Sequence, residues 1–446
     1  MTRFYGGYRM ANYSLFVKQK LMSIITDMSC RKERFVRDPN KDFTRKRKLS
    51  FEEMIKIMLS MGGSSLNREL LEHFNYNPNA ASSSAFIQQR DKLLPQTFKF
   101  LLHEFTHSFD NYKTYLGYRL VAVDGSDLHI PHDPNDEQTY FQSIPDTKGF
   151  NLVHLNVMYD LCNKIYLDAC IQPGRKHNEF KALNDMVDES VINEKVIIIA
   201  DRGYESYNVF AHIERKGWKY LIRVKDVNSK SIVSTLDLPE TEEFDQQLQR
   251  ILTRKQTNAI KARPDIYKFM PNNSNFDYLD YEEQLYYSMA FRVVRVKIAE
   301  NTYQTFITNL EPEEFGPEQI REIYRMRWGV ETSFRELKHT LGLTNLHSKK
   351  VACINQEIFA RMVMYNFCEI ITLHVVIHQK SRKHSYQVNF SMAMSICRHF
   401  FKILENAPPP DVEALIQKYI LPLREGRTLP RKIKFRTFVS FNYRVA

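Results

Sequence analysis

Two aspartates each follow an apolar run that predicts a β-strand. Asp124 comes directly after Leu120–Val123, and Asp201 comes directly after Val196–Ala200. Strand ends of an open mixed sheet face a ligand crevice, and two carboxylates that meet there repel each other unless a cation lies between them. Mg²⁺ fits such a place because it prefers hard oxygen ligands. The pattern therefore indicates a divalent-metal site, although Asp-Gly and Asp-Arg-Gly are also common turn sequences.

Four further polar residues share one face of a predicted helix. We expect this helix to run from Pro317, a residue type favoured in a first helical turn, to about Leu341. The four stand at i, i+3, i+7 and i+14 along it: Tyr324, Arg327, Glu331 and Lys338. At about 100° per residue they fall within roughly 60° of one face, beside an apolar stripe. Glu331 is thus a third candidate acid, and a solvated helix with an Arg327–Glu331 ion pair is the alternative.

The elements around these residues predict an α/β protein. The Leu120–Val123 strand is followed in chain order by a hairpin (Leu152–Tyr159 and Lys164–Ile171), a helix (Glu179–Glu189), the Val196–Ala200 strand, a helix (Tyr204–Lys216) and a strand (Trp218–Val224). Later come two strand-like runs, Phe291–Ile298 and Tyr303–Asn309, and a buried helix, Cys353–Ile377. Strands that alternate with helices in this way are typical of a mixed sheet with crossover helices.

The length of 446 residues favours two or three domains. A helical N-terminal domain is predicted for residues 1–117, where Ser50 and Glu53 form a candidate capping box. The mixed sheet is predicted for 118–225 and 291–380, and its second part carries the Glu331 helix. An irregular and partly acidic insertion separates the two parts at 226–290. A helical and basic region, 381–446, follows.

The charge is distributed unevenly along the chain. The 63 Lys+Arg and 52 Asp+Glu residues give a net charge of +11, yet residues 1–50 alone carry +9 and residues 418–446 carry +7. The remainder is therefore slightly acidic. Basic ends around an acidic centre favour contact with a polyanion such as nucleic acid at the two ends. Two solvated basic tails are the alternative.

Several classes of protein are disfavoured. The chain is 43% hydrophobic, which excludes wholesale disorder. Its six cysteines show no metal-ligand spacing and are predicted to be reduced and mostly buried. The start has no uninterrupted apolar core, so we expect no secretory signal and a cytoplasmic location. No phosphate-binding glycine loop, dinucleotide fingerprint or esterase motif is present, which argues against nucleotide-driven, dehydrogenase and esterase chemistry.

Together these motifs resemble the DDE-type transposases of bacterial insertion sequences, in particular the group marked by Tyr-x2-Arg-x3-Glu-x6-Lys. That signature is intact as Tyr324, Arg327, Glu331 and Lys338. The first family aspartate matches Asp124 in VAVDGS, and the second matches Asp201 in IIIADRGY. The resemblance covers most of the chain, from a helical start through a ribonuclease-H-like sheet with a β-rich insertion to the basic tail.

The resemblance implies a function and a site. Asp124, Asp201 and Glu331 would form a catalytic triad that holds two Mg²⁺ or Mn²⁺ ions. Tyr324, Arg327 and Lys338, and also Arg202, would contact DNA. The partners implied are double-stranded DNA, both transposon ends and target, and a second copy of the chain in a synaptic homodimer; no membrane and no nucleotide cofactor are expected. When bound to DNA, the protein would be associated with the nucleoid.

Some assignments stay open at this stage. Asp127 competes with Asp124 as the first acid. A base flipped during hairpin formation could stack on one of several aromatic residues of the insertion region: Tyr281, Tyr286, Tyr287 or Phe291. Trp328 and Phe334 are interpreted as packing residues, and His129, His154 and His177 as structural or surface residues. A metal-dependent nuclease or resolvase of the same fold, and a non-catalytic DNA-binding derivative, are the alternative functions.

Overall fold

The computed structural model describes residues 13–142, 148–227, 229, 231–375, 377, 385–403 and 408–423. The described chain begins with five helices: α1 (Tyr13–Cys30), α2 (Phe51–Ser60), α3 (Leu66–His73), α4 (Ser83–Arg90) and α5 (Thr97–His107). The Ser50 side chain accepts the Glu53 N–H at 3.2 Å and so starts α2. The Glu53 carboxylate contacts His73 Nε2. The Ser50 half of the predicted capping box is therefore present, whereas the Glu53 side chain is directed to His73.

A mixed sheet follows the helices. Its first part comprises β1 (Arg119–Ile130), β2 (Tyr140–Phe141), β3 (Phe150–Asp160), β4 (Ile165–Pro173), α6 (Glu179–Glu189), β5 (Val196–Ala200), α7 (Tyr207–Arg215) and β6 (Lys219–Val224). The strands β1, β3 and β4 are antiparallel, whereas β5 runs parallel to β1 and β6 runs parallel to β5. The predicted mixed α/β sheet with its hairpin and crossover helices is confirmed.

The same sheet continues through the segment that was predicted as an insertion. The added elements are β7 (Phe244–Thr253), α8 (Asn258–Lys261), β8 (Tyr267–Phe269), β9 (Tyr286–Ala299) and β10 (Thr302–Thr308). The strand order is β2-β3-β1-β5-β6-β10-β9-β7-β8, with β4 on β3. The strand β9 spans residues 286–299 and so crosses the predicted boundary at residue 290. Because it pairs with both β10 and β7, it joins the two segments in one sheet.

The strand β1 is longer than predicted. Its parallel pairing with β5 covers Arg119–Ala122, but its antiparallel pairing with β3 continues to Ile130. The prediction that the strand ends before Asp124 was therefore wrong. The hairpin formed by β3 and β4 supplies a hydrogen-bonding partner beyond the point where β5 stops. The pairing of β1 with β5 ends just before Asp124, whereas the strand β1 itself continues past it.

The remaining elements are α9 (Pro317–Met326), α10 (Trp328–His339), α11 (Val351–Thr372), β11 (Tyr386–Val388), α12 (Phe390–Lys402), α13 (Val412–Lys418) and β12 (Ile420–Pro422). The single helix predicted from Pro317 to Leu341 is thus two helices that break at Arg327. Arg327 N–H donates to Tyr324 O at 3.1 Å and Val330 N–H donates to Arg327 O at 3.0 Å, so the backbone tightens to i→i−3 bonds there. Gly329, a weak helix former, follows directly after the break.

The helix α11 is buried along almost its whole length, and it contacts α5, α2, α1 and β4. Arg90 of α4 donates to Glu357 Oε1 of α11 at 2.8 Å, and both side chains are 3% exposed. This pair ties the helical N-terminal segment to the C-terminal half of the chain. None of the helices formed by the described residues combines the length and hydrophobicity that a membrane crossing needs. All six cysteines are free thiols, and Cys353, Cys368 and Cys397 are buried.

Candidate active site

Asp124 lies in β1, and Asp201 directly follows the neighbouring strand β5. Ala122 pairs with Ile199 in the parallel β1–β5 ladder, so the same register two residues later sets Asp124 beside Asp201. Asp124 Oδ1 accepts the N–H of Gly125 at 2.9 Å. Asp201 Oδ1 accepts the N–H of Gly203 at 2.8 Å and caps the short 3-10 turn that follows β5. The sheet therefore delivers both aspartates to one edge, as the sequence predicts.

Arg327 joins the third acid to this pair. Its Nη2 donates to Glu331 Oε1 at 2.9 Å, and its Nη1 lies 3.4 Å from Asp124 Oδ2. The guanidinium is 9% exposed, and its Nε is buried with no hydrogen-bond partner among the described residues. A buried cation thus connects Asp124 with Glu331 and keeps one donor unused.

The surroundings of Asp124 shift the pKa of its carboxyl group. Burial raises the pKa of the Asp124 carboxyl to about 6, against the opposing effect of Arg327, and the carboxylates of Asp201 and Glu331 raise it further. This electrostatic coupling places all three predicted acids within one site. Such a concentration of negative charge is typical of sites that bind a cation.

Tyr324 and Lys338 reach the same region from the two helices. Tyr324 is 6% exposed, and its ring packs edge-on against Phe306 of β10, with 4.8 Å between ring centres. Lys338 Nζ donates to Ser126 Oγ at 2.6 Å and to the backbone oxygen of Asp127 at 3.0 Å. Burial lowers the pKa of the Lys338 ammonium, although the Asp127 carboxylate opposes this. The break at Arg327 therefore does not separate the four predicted residues.

Arg202 and Trp328 are the open side chains at this edge. Arg202 follows Asp201 and is exposed. Trp328 is 57% exposed, so its interpretation as a packing residue was wrong, while Phe334 is buried as predicted. The reason is the helix break, which turns Trp328 into the first residue of α10. Of the aromatic residues considered for base stacking, Phe291 is 3% exposed, whereas Tyr281 and Tyr286 are exposed.

Asp127 lies on the opposite face of β1 from Asp124, because successive side chains of a strand alternate. Its Oδ1 is 2.8 Å from His154 Nδ1, and His154 Nε2 is 2.9 Å from Glu179 Oε1. His154 also stacks on His177, with 4.4 Å between ring centres. Burial alone would lower the pKa of His154, but its hydrogen bonds to Glu179 and Asp127 raise it. The histidine is therefore held as a bridge between two carboxylates.

This bridge supports the active site from behind, and sequence reasoning missed it. A Cβ on Gly125 would lie 2.4 Å from His154 Nε2, and a Cβ on Gly203 would lie 3.6 Å from Glu179 Oε2. Gly125, directly after Asp124, thus makes room for the bridge, whereas a Cβ on Gly203 would be in ordinary contact with Glu179. Sequence reasoning also missed Tyr204, whose hydroxyl is buried without a partner among the described residues. Burial raises the pKa of Tyr204, and the charges of Glu179, Asp124 and Asp201 raise it further. Gly125, directly after Asp124, was the available signal.

In this structure the Arg327 side chain bridges Asp124 and Glu331. Among the residues that the structure describes, no three His, Cys, Asp or Glu side chains are grouped closely enough to hold a metal ion. The donors are nonetheless chemically suitable, since Asp124 and Glu331 contact one guanidinium and the Asp201 carboxylate adds further negative charge nearby.

Residues 115–367, more than half of the chain, match the family described as "Transposase DDE domain". The chain therefore belongs to this family, and the resemblance to DDE transposases is confirmed at the family level. The matched range holds Asp124, Asp201 and Glu331.

Two relatives from Escherichia coli K12 are insertion-sequence proteins. The chain is 27% identical over 127 residues to the transposase InsG of IS4, an alignment that covers 26% of this chain and 28% of InsG. It is 33% identical over 73 residues to the putative transposase InsL of IS186A, covering 16% of this chain and 20% of InsL. The alignments thus span under a third of either relative. A solved piggyBac transposase synaptic complex with hairpin DNA is similar at a TM-score of 0.45 and 12% identity, over 90% of this chain and 83% of that one.

Proposed function

We propose that the protein is a cut-and-paste transposase that binds the terminal inverted repeats of its insertion sequence, pairs two ends in a homodimer, and cleaves and joins DNA strands. The observation that carries the proposal is the meeting of Asp124, Asp201 and Glu331 at one sheet edge, with Arg327 between two of them. Membership of the transposase DDE domain family supports it.

In this proposal the three acids are the catalytic residues and the ligands of two Mg²⁺ or Mn²⁺ ions. Divalent ions supply an activated water or DNA 3′-hydroxyl and stabilise the leaving oxygen when bound to carboxylates of this kind. The raised pKa of Asp124 supports the assignment, because burial and then the nearby carboxylates of Asp201 and Glu331 disfavour its charged form, and a bound cation would offset this. Asp127 is disfavoured as the first acid, since its carboxylate is engaged by His154.

The cations of the signature would hold the DNA. Arg327 has an unused Nε donor, which suits it to a phosphate oxygen. Lys338 fixes the β1 backbone next to Asp124 and adds a positive charge there. Arg202 and Trp328, both exposed, are the side chains most open to phosphates and bases. The burial of Tyr324 supports an indirect role, in which its ring, 5.8 Å from the Arg327 guanidinium, orients that arginine.

The wider architecture supports the same proposal. The order β4-β3-β1-β5-β6, with three antiparallel strands and two parallel ones, supports a ribonuclease-H-like catalytic domain. We assign the domain to 118–225 and 291–380 and the β-rich insertion to 226–290, with β9 passing from one into the other. We assign DNA contacts to 1–117 and 381–446. Much of the charge that motivates the last assignment lies in 1–12 and 424–446, which are outside the described residues.

A strand-transfer assay tests the proposal. The purified protein is incubated with duplexes that carry the ends of its element, a target plasmid and Mg²⁺, and joined products are resolved on a gel. The proposal expects joined products. Cleavage without joining would instead identify a nuclease or resolvase, and end binding without cleavage would identify a non-catalytic derivative.

A further inference from the structure

A group of basic residues lies at the C-terminal end of α10, away from the three acids. A cleft of about 600 Å³ opens between α3, the end of α10 and α12. Four of its lining residues carry basic groups: His339, Arg398, His399 and Lys402. One acid, Glu72, also lines it, but Glu72 Oε1 accepts the Arg68 Nε–H at 2.8 Å. The cleft therefore has an excess of positive charge.

Arg398 is the unusual residue of this cleft. Two of its guanidinium nitrogens, Nε and Nη2, are buried and have no hydrogen-bond partner among the described residues. No carboxylate in the described part of the chain lies within 4.0 Å of it. Buried charges are normally paired and hydrogen-bonded, because an uncompensated one costs several kcal/mol. The arginine thus has no carboxylate in direct contact among the described residues, and the charges of Glu69 and Glu72 act on it only from a distance.

The nearest acids are engaged elsewhere. Glu69 Oε1 accepts the backbone N–H of Ser64 at 2.9 Å, and Glu72 is held by Arg68. A further acid, Glu357, is paired with Arg361. Arg361 is itself close enough to repel the Arg398 guanidinium. Gly62 lets the guanidinium approach the backbone, since a Cβ there would lie 3.0 Å from Arg398 Nη1. The fold therefore places a fixed cation beside the cleft and leaves two of its buried donors without a partner among the described residues.

Hydroxyl groups complete the lining. Thr340, Ser391 and Ser395 face the same cleft, and the first two lie 3.3 Å apart through their Oγ atoms. A fork of guanidinium donors with nearby hydroxyls and a lysine is the set of groups that binds a tetrahedral phosphate. We propose that this cleft binds a phosphate group through Arg398, and that the phosphate belongs to the DNA backbone.

The DNA source rests on the proposed function and on the position of the cleft. It begins at His339, eight residues after Glu331 on the same helix, or about 12 Å along the helix axis. That distance corresponds to roughly four base pairs. A duplex that is cut at Glu331 extends well beyond this length, and in this proposal its backbone reaches Arg398. Such a contact would fix the DNA relative to the catalytic acids without reading its sequence.

Thermal unfolding of the full chain with inorganic phosphate tests the site itself, independently of any cleavage. At constant ionic strength, phosphate raises the unfolding midpoint of the wild type by about 2–4 °C at saturation. Arg398→Met loses this rise and, without phosphate, unfolds at or above the wild-type temperature, because a buried unpaired charge has been removed. The control Arg263→Met, an exposed arginine paired with Asp265, keeps the rise.

The second arm distinguishes the source of the phosphate. For a 30-base-pair duplex, Arg398→Met weakens binding about tenfold and reduces the salt slope by about one, whereas Arg263→Met changes neither. A phosphate-dependent rise without any effect on DNA would assign the cleft to free phosphate. If Arg398→Met lowers the midpoint equally with and without phosphate, the arginine is structural and the proposal fails. If Arg398→Met does not fold, Lys402→Met is used in its place. We expect it to reduce both the phosphate-dependent rise of the midpoint and the duplex affinity, each by less than Arg398→Met.

Discussion

The two faces of β1 hold buried charge in different ways. On one face Asp124 and Glu331 share Arg327, whose Nε has no partner among the described residues. On the other face Asp127 and Glu179 share His154, and both of its ring nitrogens are engaged. The first arrangement keeps unused donors and excess negative charge, whereas the second is complete in itself. In the proposed function the first face binds the substrate and the second supports it.

The largest effect is expected from the catalytic acids themselves. Asp201→Ala and Glu331→Ala should each lower cleavage by on the order of a thousandfold or more, because each removes a proposed metal ligand. Binding of the transposon ends should remain. Gel assays of cleavage and of end binding measure both quantities, and normal cleavage in either variant removes that residue from the triad.

The next largest effect is expected at Arg327. Arg327→Met leaves Asp124 and Glu331 without their shared cation, so we expect cleavage to fall by about a hundredfold and the free energy of unfolding by about 1–3 kcal/mol. Saturating Mn²⁺ should restore part of the stability, since the ion can take over the role of the lost guanidinium. Denaturant unfolding with and without Mn²⁺ checks this. An unchanged stability would mean that the bridge contributes nothing.

Gly125→Ala tests whether the supporting face matters to the reaction. The new Cβ would lie 2.4 Å from His154 Nε2 and 2.6 Å from Glu179 Oε1, so the bridge must move. We expect a loss of about 1–3 kcal/mol in stability and about tenfold in cleavage. In a His154→Ala background the same substitution should cost clearly less. Equal costs in both backgrounds would show that the glycine acts independently of the bridge.

The smallest effect is expected from Lys338→Ala. This change removes a cation and its bonds to Ser126 and the Asp127 backbone. We expect end complexes to weaken by about threefold to tenfold and the salt slope to fall by about one. Binding isotherms at several salt concentrations provide the measurement. Identical slopes in wild type and variant would rule out a phosphate contact.

Regular elements of the site could be predicted from the sequence. The predicted bounds Glu179–Glu189 and Val196–Ala200 coincide with α6 and β5, because their hydrophobic patterns are local and strong. The approach of Asp124, Asp201 and Glu331 to one another was predicted from strand ends and helical spacing, although β1 continues past Asp124 and the helix breaks at Arg327. The extension of β1 to Ile130 could not, since it depends on the partner strand β3.

The helix break and the histidine bridge were not predictable for related reasons. Periodicity cannot show that Arg327 replaces i→i−4 bonds by i→i−3 bonds, and it therefore misplaced Trp328 as a packing residue. The bridge joins residues that are 25 and 27 positions apart in the sequence, and only the sheet register brings them together.

The most direct test compares Asp124→Asn with Asp127→Asn in the same Mg²⁺-dependent cleavage assay. Both substitutions remove one carboxylate from β1 at nearly identical volume, but from opposite faces. Our account predicts that Asp124→Asn abolishes cleavage while Asp127→Asn retains it within about tenfold. Cleavage that survives in Asp124→Asn and is abolished in Asp127→Asn would contradict the assignment of the two faces.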